Sequence, residues 1–308
     1  MEAIVACCGS GRYRGTMSCG ALTGIKDYEL CDNPEEYMFF DAVHPTEKTY
    51  MLIAELLPCS PIIAPKTCSI VHLWRFSVGC CFKVVEKQLK QKLGDAAAKK
   101  LTSEAVYFFS IGSNDYFVFV RNSTLPQSYN SKKEYVGMVI GNLTTTIKKG
   151  GRKFGFINLA PLGCTPSARL VSPGNTGSCL EDTLELAKLH NQVLSKVLQE
   201  LEGQLEGFRY ANHDFYNSLM KRINDPSRYG LKESMRACCG SGQYRGMSSC
   251  GGKRGVEEYE LCDNPQEYLF FDFTHPSEKA NKQIAQLLWS GTPDVTGPYN
   301  LKKLFEHS

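Results

Sequence analysis

A segment of 52 residues occurs twice in this chain, and the duplication limits what the chain can fold into more than any other feature. Residues 6–57 align with residues 237–288 without a gap, at a constant offset of 231 positions, and 33 of the aligned positions are identical. A solenoid needs at least three adjacent copies of its unit, whereas unrelated sequence separates these two. The pattern indicates a broken tandem duplication, in which the end of one copy is followed by a junction and most of a second copy.

The duplication divides the 308 residues into three predicted parts. Residues 1–57 are interpreted as a duplicated C-terminal fragment, residues 58–83 as a junction, and residues 84–308 as the main domain. The junction shows neither a strand period nor a helix period, and three prolines interrupt it.

The main domain alternates between predicted helices and strands. Apolar spacing predicts helices over residues 84–93, 131–148, 180–206 and 277–289, and strands over residues 105–111, 153–159 and 208–211. Such alternation is typical of a parallel sheet covered on both faces, so we expect an α/β fold, a three-layer α/β/α sandwich. Active residues in such folds lie on loops at the carboxyl ends of strands. Here those loops follow Ile111 and surround residues 272–275.

Charge and hydropathy exclude two classes of protein. The 35 basic and 32 acidic residues leave a net charge of +3, which gives no electrostatic reason to bind nucleic acid. The mean hydropathy is −0.27. No apolar run approaches the roughly 18 residues of a membrane-spanning helix, so no integral membrane segment is predicted. Nothing in the sequence predicts the oligomeric state.

Fourteen cysteines are too many for an ordinary cytosolic enzyme, and they favour a disulfide-bearing secretory protein or a metal-binding protein. The doublet at residues 238–239, with Cys250 and Cys262, lacks the Cys-x-x-Cys spacing typical of zinc sites. Cys164 and Cys179 flank a loop rich in proline, glycine and serine, which a disulfide between them would close. We predict no metal and no cofactor.

The signals for export conflict. Two glycosylation sequons, at Asn122 and Asn142, agree with secretion. Residues 1–8 nevertheless have neither the basic region nor the apolar length of a signal peptide, so retention inside the cell is the alternative.

The clearest chemical signal is the pair Asp272 and His275. Spaced three apart on a loop before a helix, they allow the carboxylate to accept a hydrogen bond from the imidazole, which orients a general base. The alternative is that His275 only caps or packs near the start of the helix. Asp41 and His44 form the same pair in the first copy and are predicted to be vestigial.

A second candidate loop follows the strand that ends at Ile111. Gly112 permits a backbone conformation that a side chain would block. Asn114 carries an amide that would stabilise an oxyanion. Asn-Asp after a strand is also ordinary turn and helix-capping chemistry, and this alternative stays open.

The other histidines give weaker signals. His190 lies in the predicted helix 180–206 and is expected to be exposed or half-buried, and His213 lies near a strand end. His72 and His307 lie in segments without a clear pattern. None of the four has a partner at ligand spacing.

Taken together, Gly112-Ser113-Asn114-Asp115, Asp272-x-x-His275 and the repeated cysteine-rich block resemble plant GDSL-type esterase/lipases, members of the SGNH hydrolase superfamily. Residues 296–305 are similar to the ends of a pathogen-defence and myrosinase-associated branch of that family. The resemblance implies an SGNH or flavodoxin-like fold, incomplete in its N-terminal part. It also implies a secreted enzyme that hydrolyses acyl or lipid esters, in which Asp272 and His275 are catalytic and Gly112 and Asn114 serve the oxyanion.

The family places its nucleophilic serine in a Gly-Asp-Ser block, and this sequence contains no Gly-Asp-Ser. The glycine-rich second block is also replaced by the junction. Ser69, Ser77 and Ser113 are the serines worth testing as substitutes, although each is more simply interpreted as a loop or turn residue. We therefore expect a catalytically impaired family member; the alternative is a non-catalytic, partner-binding protein of the myrosinase-associated or defence type.

Overall fold

The computed structural model describes residues 2, 4–14, 27–39, 78–121, 131–148, 150–251 and 258–306. By its internal contacts the chain divides into two compact units, residues 1–64 with 251–259 and residues 65–250 with 260–308. The division at residues 57 and 83 that the duplication suggests remains a prediction.

The first unit contains a short hairpin closed by a disulfide. Strands β1 (Cys8–Gly9) and β2 (Glu29–Leu30) pair antiparallel, and a disulfide joins Cys7 to Cys31. A tight turn at Arg12–Arg14 follows β1. A side chain at Gly9, whose φ is +150°, would overlap the carbonyl of the turn, so the close approach of the two segments requires glycine there.

The second unit alternates helices and strands. Its helices are α1 (Val78–Leu93), α2 (Asp95–Glu104), α3 (Ser113–Arg121), α4 (Lys132–Ile147), α5 (Pro166–Leu170), α6 (Glu181–Gln204), α7 (Phe215–Asn224), α8 (Glu278–Ser290) and α9 (Leu301–Glu306). Its strands are β3 (Val106–Phe109), β4 (Lys153–Ile157), β5 (Arg209–His213), β6 (Glu233–Ala237), β7 (Cys239–Gly240), β8 (Glu260–Leu261), β9 (Tyr268–Phe270) and β10 (Thr296–Pro298).

A parallel sheet forms the centre of this unit. Strands β3, β4 and β5 lie side by side and parallel, and β10 adds to β5 in the antiparallel direction. Strand β6 pairs parallel with β9, and β7 pairs antiparallel with β8. The predicted α/β class with parallel strands is confirmed.

Helices cover both faces of the sheet. Phe109, Phe154 and Phe156 are buried on one face, in a core that includes Val139 of α4 and Leu198 of α6. On the opposite face, Val106 of β3 and Ala211 of β5 pack with Leu304 of α9. The alternation of side chains along each strand thus supplies two cores, which makes the fold the expected three-layer sandwich.

The predicted helices and strands of the main domain are all present, with ends shifted by a few residues. Helix α1 begins at Val78, so the last six residues of the predicted junction, 78–83, are helical. The uncharged run at its start hid the helical period. Apolar spacing also missed the short helices α2, α3, α5, α7 and α9, and the two- to five-residue strands β6 to β10.

Four disulfides have both partners in the part of the chain that the structure describes. They join Cys7 to Cys31, Cys164 to Cys179, Cys238 to Cys262, and Cys239 to Cys250. A disulfide thus closes the loop that Cys164 and Cys179 flank, a pairing that the sequence allowed but did not assign. Over the same described residues, no helix has the length and apolar character needed to cross a membrane.

Candidate active site

Asp272 and His275 lie on the loop after β9, and their side chains are hydrogen-bonded. His275 Nδ1 lies 2.8 Å from Asp272 Oδ1 and 2.9 Å from Oδ2. Because an ionised carboxylate only accepts, Nδ1 carries a proton, and in the neutral ring Nε2 keeps its lone pair. The backbone N–H groups of Thr274 and His275 also donate to Asp272 Oδ1, at 3.0 and 2.8 Å.

The Asp272–His275 pair does not form the N-terminal cap of helix α8. The N–H of Phe271 donates to the carbonyl of His275 at 2.8 Å, which closes the turn. Ser277, not His275, caps α8, since its Oγ accepts from the N–H of Ala280 at 3.3 Å. The His275 side chain is 70% exposed and that of Asp272 is 21% exposed. The imidazole is therefore accessible to a molecule from solution.

The hydrogen bond between Asp272 and His275 shifts the pKa values of both groups. The hydrogen bond to Asp272 raises the pKa of the His275 imidazole above its usual 6.5. Burial alone would raise the pKa of the Asp272 carboxyl. The hydrogen bonds from the His275 ring and from the two backbone N–H groups outweigh that effect and hold the pKa below its usual value. The arrangement is that of an oriented base with its supporting carboxylate.

Gly112 lies at the turn between β3 and α3, as predicted. Its φ is +109°, a conformation that favours glycine. A Cβ at this position would lie only 3.0 Å from His190 Cε1 and 3.2 Å from Leu159 Cδ2. Ser113 begins α3, and the exposed Asn114 lies in its first turn. The N–H of Asp115 donates to the carbonyl of Gly112 at 3.1 Å and closes a backbone turn there.

The expectation that His190 is exposed or half-buried is wrong. Its side chain is 2% exposed, and Nδ1 lies 2.9 Å from the hydroxyl of the fully buried Tyr116. Burial lowers the pKa of His190 to about 3, so the ring is neutral. A sequence signal did exist, because His190 continues the apolar stripe of α6 between Ala187 and Leu194.

Helix α6 holds two strand-end loops at once. His190 contacts Gly112 after β3. Its neighbour Asn191 accepts from the N–H of Leu159 at 2.8 Å and donates to the carbonyl of Leu159 at 2.9 Å. These contacts fix the loop after β4 against the loop after β3. Spacing within the sequence carried no signal for this role of Asn191.

Asp115 is a second residue that sequence reasoning passed over. One of its carboxylate oxygens, Oδ2, is buried and has no hydrogen-bond partner among the residues that the structure describes. Burial raises the pKa of this group to about 7. The hydroxyl of Tyr135 donates to the Asp115 backbone carbonyl at 3.1 Å. A buried carboxylate without a partner is costly when charged.

The two candidate loops share a neighbour in the segment after β4. Helix α3, which starts with Ser113, contacts the turn Leu162–Cys164. A few residues on, the N–H of Ser167 donates to the carbonyl of Phe273 at 2.9 Å, beside Asp272. Asp41, His44, Ser69 and Ser77 lie outside the described residues.

An α/β sandwich with an oriented Asp–His pair on a strand-end loop is the architecture of hydrolytic enzymes that use a general base. The family model described as GDSL-like Lipase/Acylhydrolase matches residues 67–288. The chain belongs to this family of ester hydrolases.

The chain is similar to several plant proteins of the same family. It is 53% identical over 230 residues to GDSL esterase/lipase 4 of Arabidopsis thaliana, which covers 73% of this chain and 61% of that protein. It is 50% identical over 231 residues to GDSL esterase/lipase 1 of the same plant, with 73% and 62% covered. It is also 39% identical over 206 residues to the Inactive GDSL esterase/lipase-like protein 25, with 66% and 47% covered. The chain thus spans about three fifths of the length of the first two relatives.

Proposed function

We propose that this chain carries the general-base half of a carboxylic-ester hydrolase site. It is catalytically impaired because it lacks the Gly-Asp-Ser block that carries the family's nucleophilic serine. His275 is the base, Asp272 orients it, and Gly112 and Asn114 belong to the oxyanion loop. The substrate class is an acyl or lipid ester. The observation that carries the proposal is the 2.8 Å hydrogen bond between His275 and Asp272 in a sequence without Gly-Asp-Ser.

A general base and its carboxylate alone are not enough for efficient ester hydrolysis. A base without a nucleophile cannot form an acyl-enzyme. When the nucleophile is missing, only substrate binding and oxyanion stabilisation contribute, and these accelerate hydrolysis far less than a complete triad. The proposal is supported by the similarity to a relative that is named an inactive GDSL esterase/lipase-like protein.

The test is hydrolysis of p-nitrophenyl butyrate by the purified chain and by its His275→Ala variant. We expect both rates to lie within about twofold of each other, because His275 has no serine to activate. An Asp272→Asn variant serves as a matched control and should behave the same. Clear turnover that His275→Ala abolishes would contradict the impairment.

Labelling with a fluorophosphonate probe separates a substituted nucleophile from none. We expect no labelled serine, as judged by mass spectrometry of the intact chain. A label on Ser113, which lies at the start of α3 beside Gly112, would show that another serine has taken the role.

The disulfides support a further proposal, that the chain matures in the secretory pathway. Disulfides persist in oxidising compartments and are rare in the cytosol. Titration of free thiols in protein from plant tissue tests this, since a cytosolic protein would show its cysteines reduced.

A non-catalytic, partner-binding function is the second candidate. One observation favours it: the first unit carries a duplicate of a module that serves a structural role elsewhere in the chain, and part of its surface is exposed.

A further inference from the structure

The excess positive charge of the chain lies in one pair of helices. Helices α1 and α2 are joined at Gly94 and pack against each other as a helical hairpin. Residues 78–104, which form this hairpin, include six lysines and three acidic residues, a net charge of +3. This equals the net charge of the whole chain, because the other residues balance at 29 basic and 29 acidic. The hairpin is therefore the part of the protein that attracts an anionic surface.

Helix α1 is amphipathic, and its apolar stripe is accessible to solvent. Val85, Leu89 and Leu93 recur every four residues, which places them on one side of the helix. Val85 is 38% exposed, Leu93 is 50% exposed, and Leu89 is half-buried. Over residues 85–93 no residue is buried. Helices gain most of their stability by packing such a stripe against another surface, so this stripe is available for a further contact.

The lysines of α1 surround this stripe. With 3.6 residues per turn, Lys92 lies beside the stripe on one side, Lys90 lies on the other side, and Lys87 lies on the opposite face. All three lysines are exposed. Lys90 pairs with Glu86, with 2.9 Å between Nζ and Oε1. Long lysine stems can run along an apolar surface while their ammonium groups stay at the level of polar headgroups.

The second helix limits the kind of partner that fits α1. A protein that envelops a basic amphipathic helix needs access to most of its circumference. Here α2 packs along α1 and already covers part of it. Helix α2 itself is mostly exposed, with Ala98 as its buried residue, and it adds the exposed Lys99 and Lys100. A flat anionic surface fits this arrangement better than an enveloping protein does.

We propose that α1 lies on the surface of a membrane that contains anionic lipids. Val85, Leu89 and Leu93 lie against the boundary of the acyl chains, and the lysines of the hairpin lie at the lipid headgroups. The stripe is only about 12 Å long, so the contact is shallow and reversible, and it needs both the apolar and the electrostatic contribution. This inference does not depend on ester hydrolysis.

The test is co-sedimentation of the full chain with vesicles in low salt. One set of vesicles contains phosphatidylcholine alone, and the other contains phosphatidylcholine with phosphatidylserine. We expect the protein to bind the anionic vesicles at least about tenfold more tightly, because each lysine near an anionic surface contributes about fivefold. Salt at about 0.5 M should release the protein, since it screens these charges.

Two substitutions separate the apolar contribution from the electrostatic one. Leu93→Gln removes an apolar side chain of the stripe and should weaken binding to the anionic vesicles by about fivefold or more. Lys92→Gln removes one charge beside the stripe and should weaken it by about threefold to fivefold. The matched controls are Leu261→Gln in β8, where the leucine is 59% exposed, and Lys196→Gln in α6, where the lysine side chain is 79% exposed. Each control should bind within about twofold of wild type.

Several outcomes would overturn the proposal. These are no binding to the anionic vesicles, equal binding to both kinds of vesicle, or control variants that lose as much affinity as Leu93→Gln and Lys92→Gln. Capture of an acidic protein through α1 without any vesicle binding would assign the stripe to a protein partner instead. Far-ultraviolet circular dichroism verifies that each variant is folded. Because p-nitrophenyl butyrate is hydrolysed without vesicles, the result of that assay does not decide this one.

Discussion

The two copies of the duplicated segment share a backbone but differ in how deeply their side chains are buried. The N-terminal module comprises the described residues among 2–39, and the C-terminal module comprises the described residues among 233–270. Each has its disulfide at the same place, with 4.8 Å between the Cα atoms of Cys7 and Cys31 and also between those of Cys238 and Cys262. Each caps a short helical turn with an asparagine, Asn33 or Asn264. The modules therefore show that this geometry is specified locally.

The burial of equivalent side chains, unlike the backbone geometry, differs between the two modules. In the C-terminal module, Leu269 and Phe270 of β9 belong to the main hydrophobic core. In the N-terminal module, Met38 is partly exposed and Phe39 is half-buried. The same sequence segment thus becomes core or surface according to the residues that the rest of the fold places against it.

The largest expected effect tests this difference directly. Leu269→Ala should lower the free energy of unfolding by about 2–5 kcal/mol, because it removes a fully buried side chain. Met38→Ala, at the equivalent position, should change it by less than about 0.5 kcal/mol. Urea unfolding followed by tryptophan fluorescence measures both. Equal losses would mean that the N-terminal module is as deeply packed as its counterpart.

Asp115 lies in neither module, and its raised pKa predicts that the stability of the second unit depends on pH. The folded pKa of Asp115, about 7, lies above its ordinary value of 3.8, so the folded state holds this proton more tightly. Its contribution to stability is present at low pH and is lost as pH rises from about 4 to 7. His190 and His213 have lowered pKa values and act in the opposite direction, so the informative quantity is a difference between variants.

The corresponding experiment compares wild type with Asp115→Asn at pH 5 and pH 8 by urea unfolding. Asp115→Asn should be more stable relative to wild type at pH 8 than at pH 5, by about 1 kcal/mol or more, since each unit of pKa shift corresponds to about 1.4 kcal/mol. A difference independent of pH would show that the carboxylate is not buried in solution.

The smallest expected effect is one that the two modules share. The glutamates of the two ion pairs, Arg14–Glu29 and Arg245–Glu260, are 72% and 65% exposed, so Arg14→Gln and Arg245→Gln should each cost less than about 1 kcal/mol in low salt. Thermal unfolding in low and high salt measures the cost and its screening. A much larger loss for Arg245→Gln would trace to its hydrogen bond to the carbonyl of Cys238, because Arg14 donates to the carbonyl of Ala6 just as Arg245 donates to that of Ala237.

Much of the fold followed from the sequence because its signals are periodic or local. The apolar spacing of residues 180–206 predicted α6, and the spacing of Asp272 and His275 predicted their hydrogen bond. The same spacing did not find the contact of His190 with Gly112, which joins residues 78 positions apart. The same spacing also predicted that His190 lies near the surface, although the residue is only 2% exposed.

The sequence by itself determined the duplication, the alternation of helices and strands, and the glycine turn at residue 112. Each depends on residues close along the chain or on a period within one element. Only the tertiary structure decided that one copy of the module joins the core while the other leaves Met38 partly exposed. The physical reason is that a disulfide and a glycine constrain the backbone near them, whereas burial depends on side chains that distant segments bring into contact.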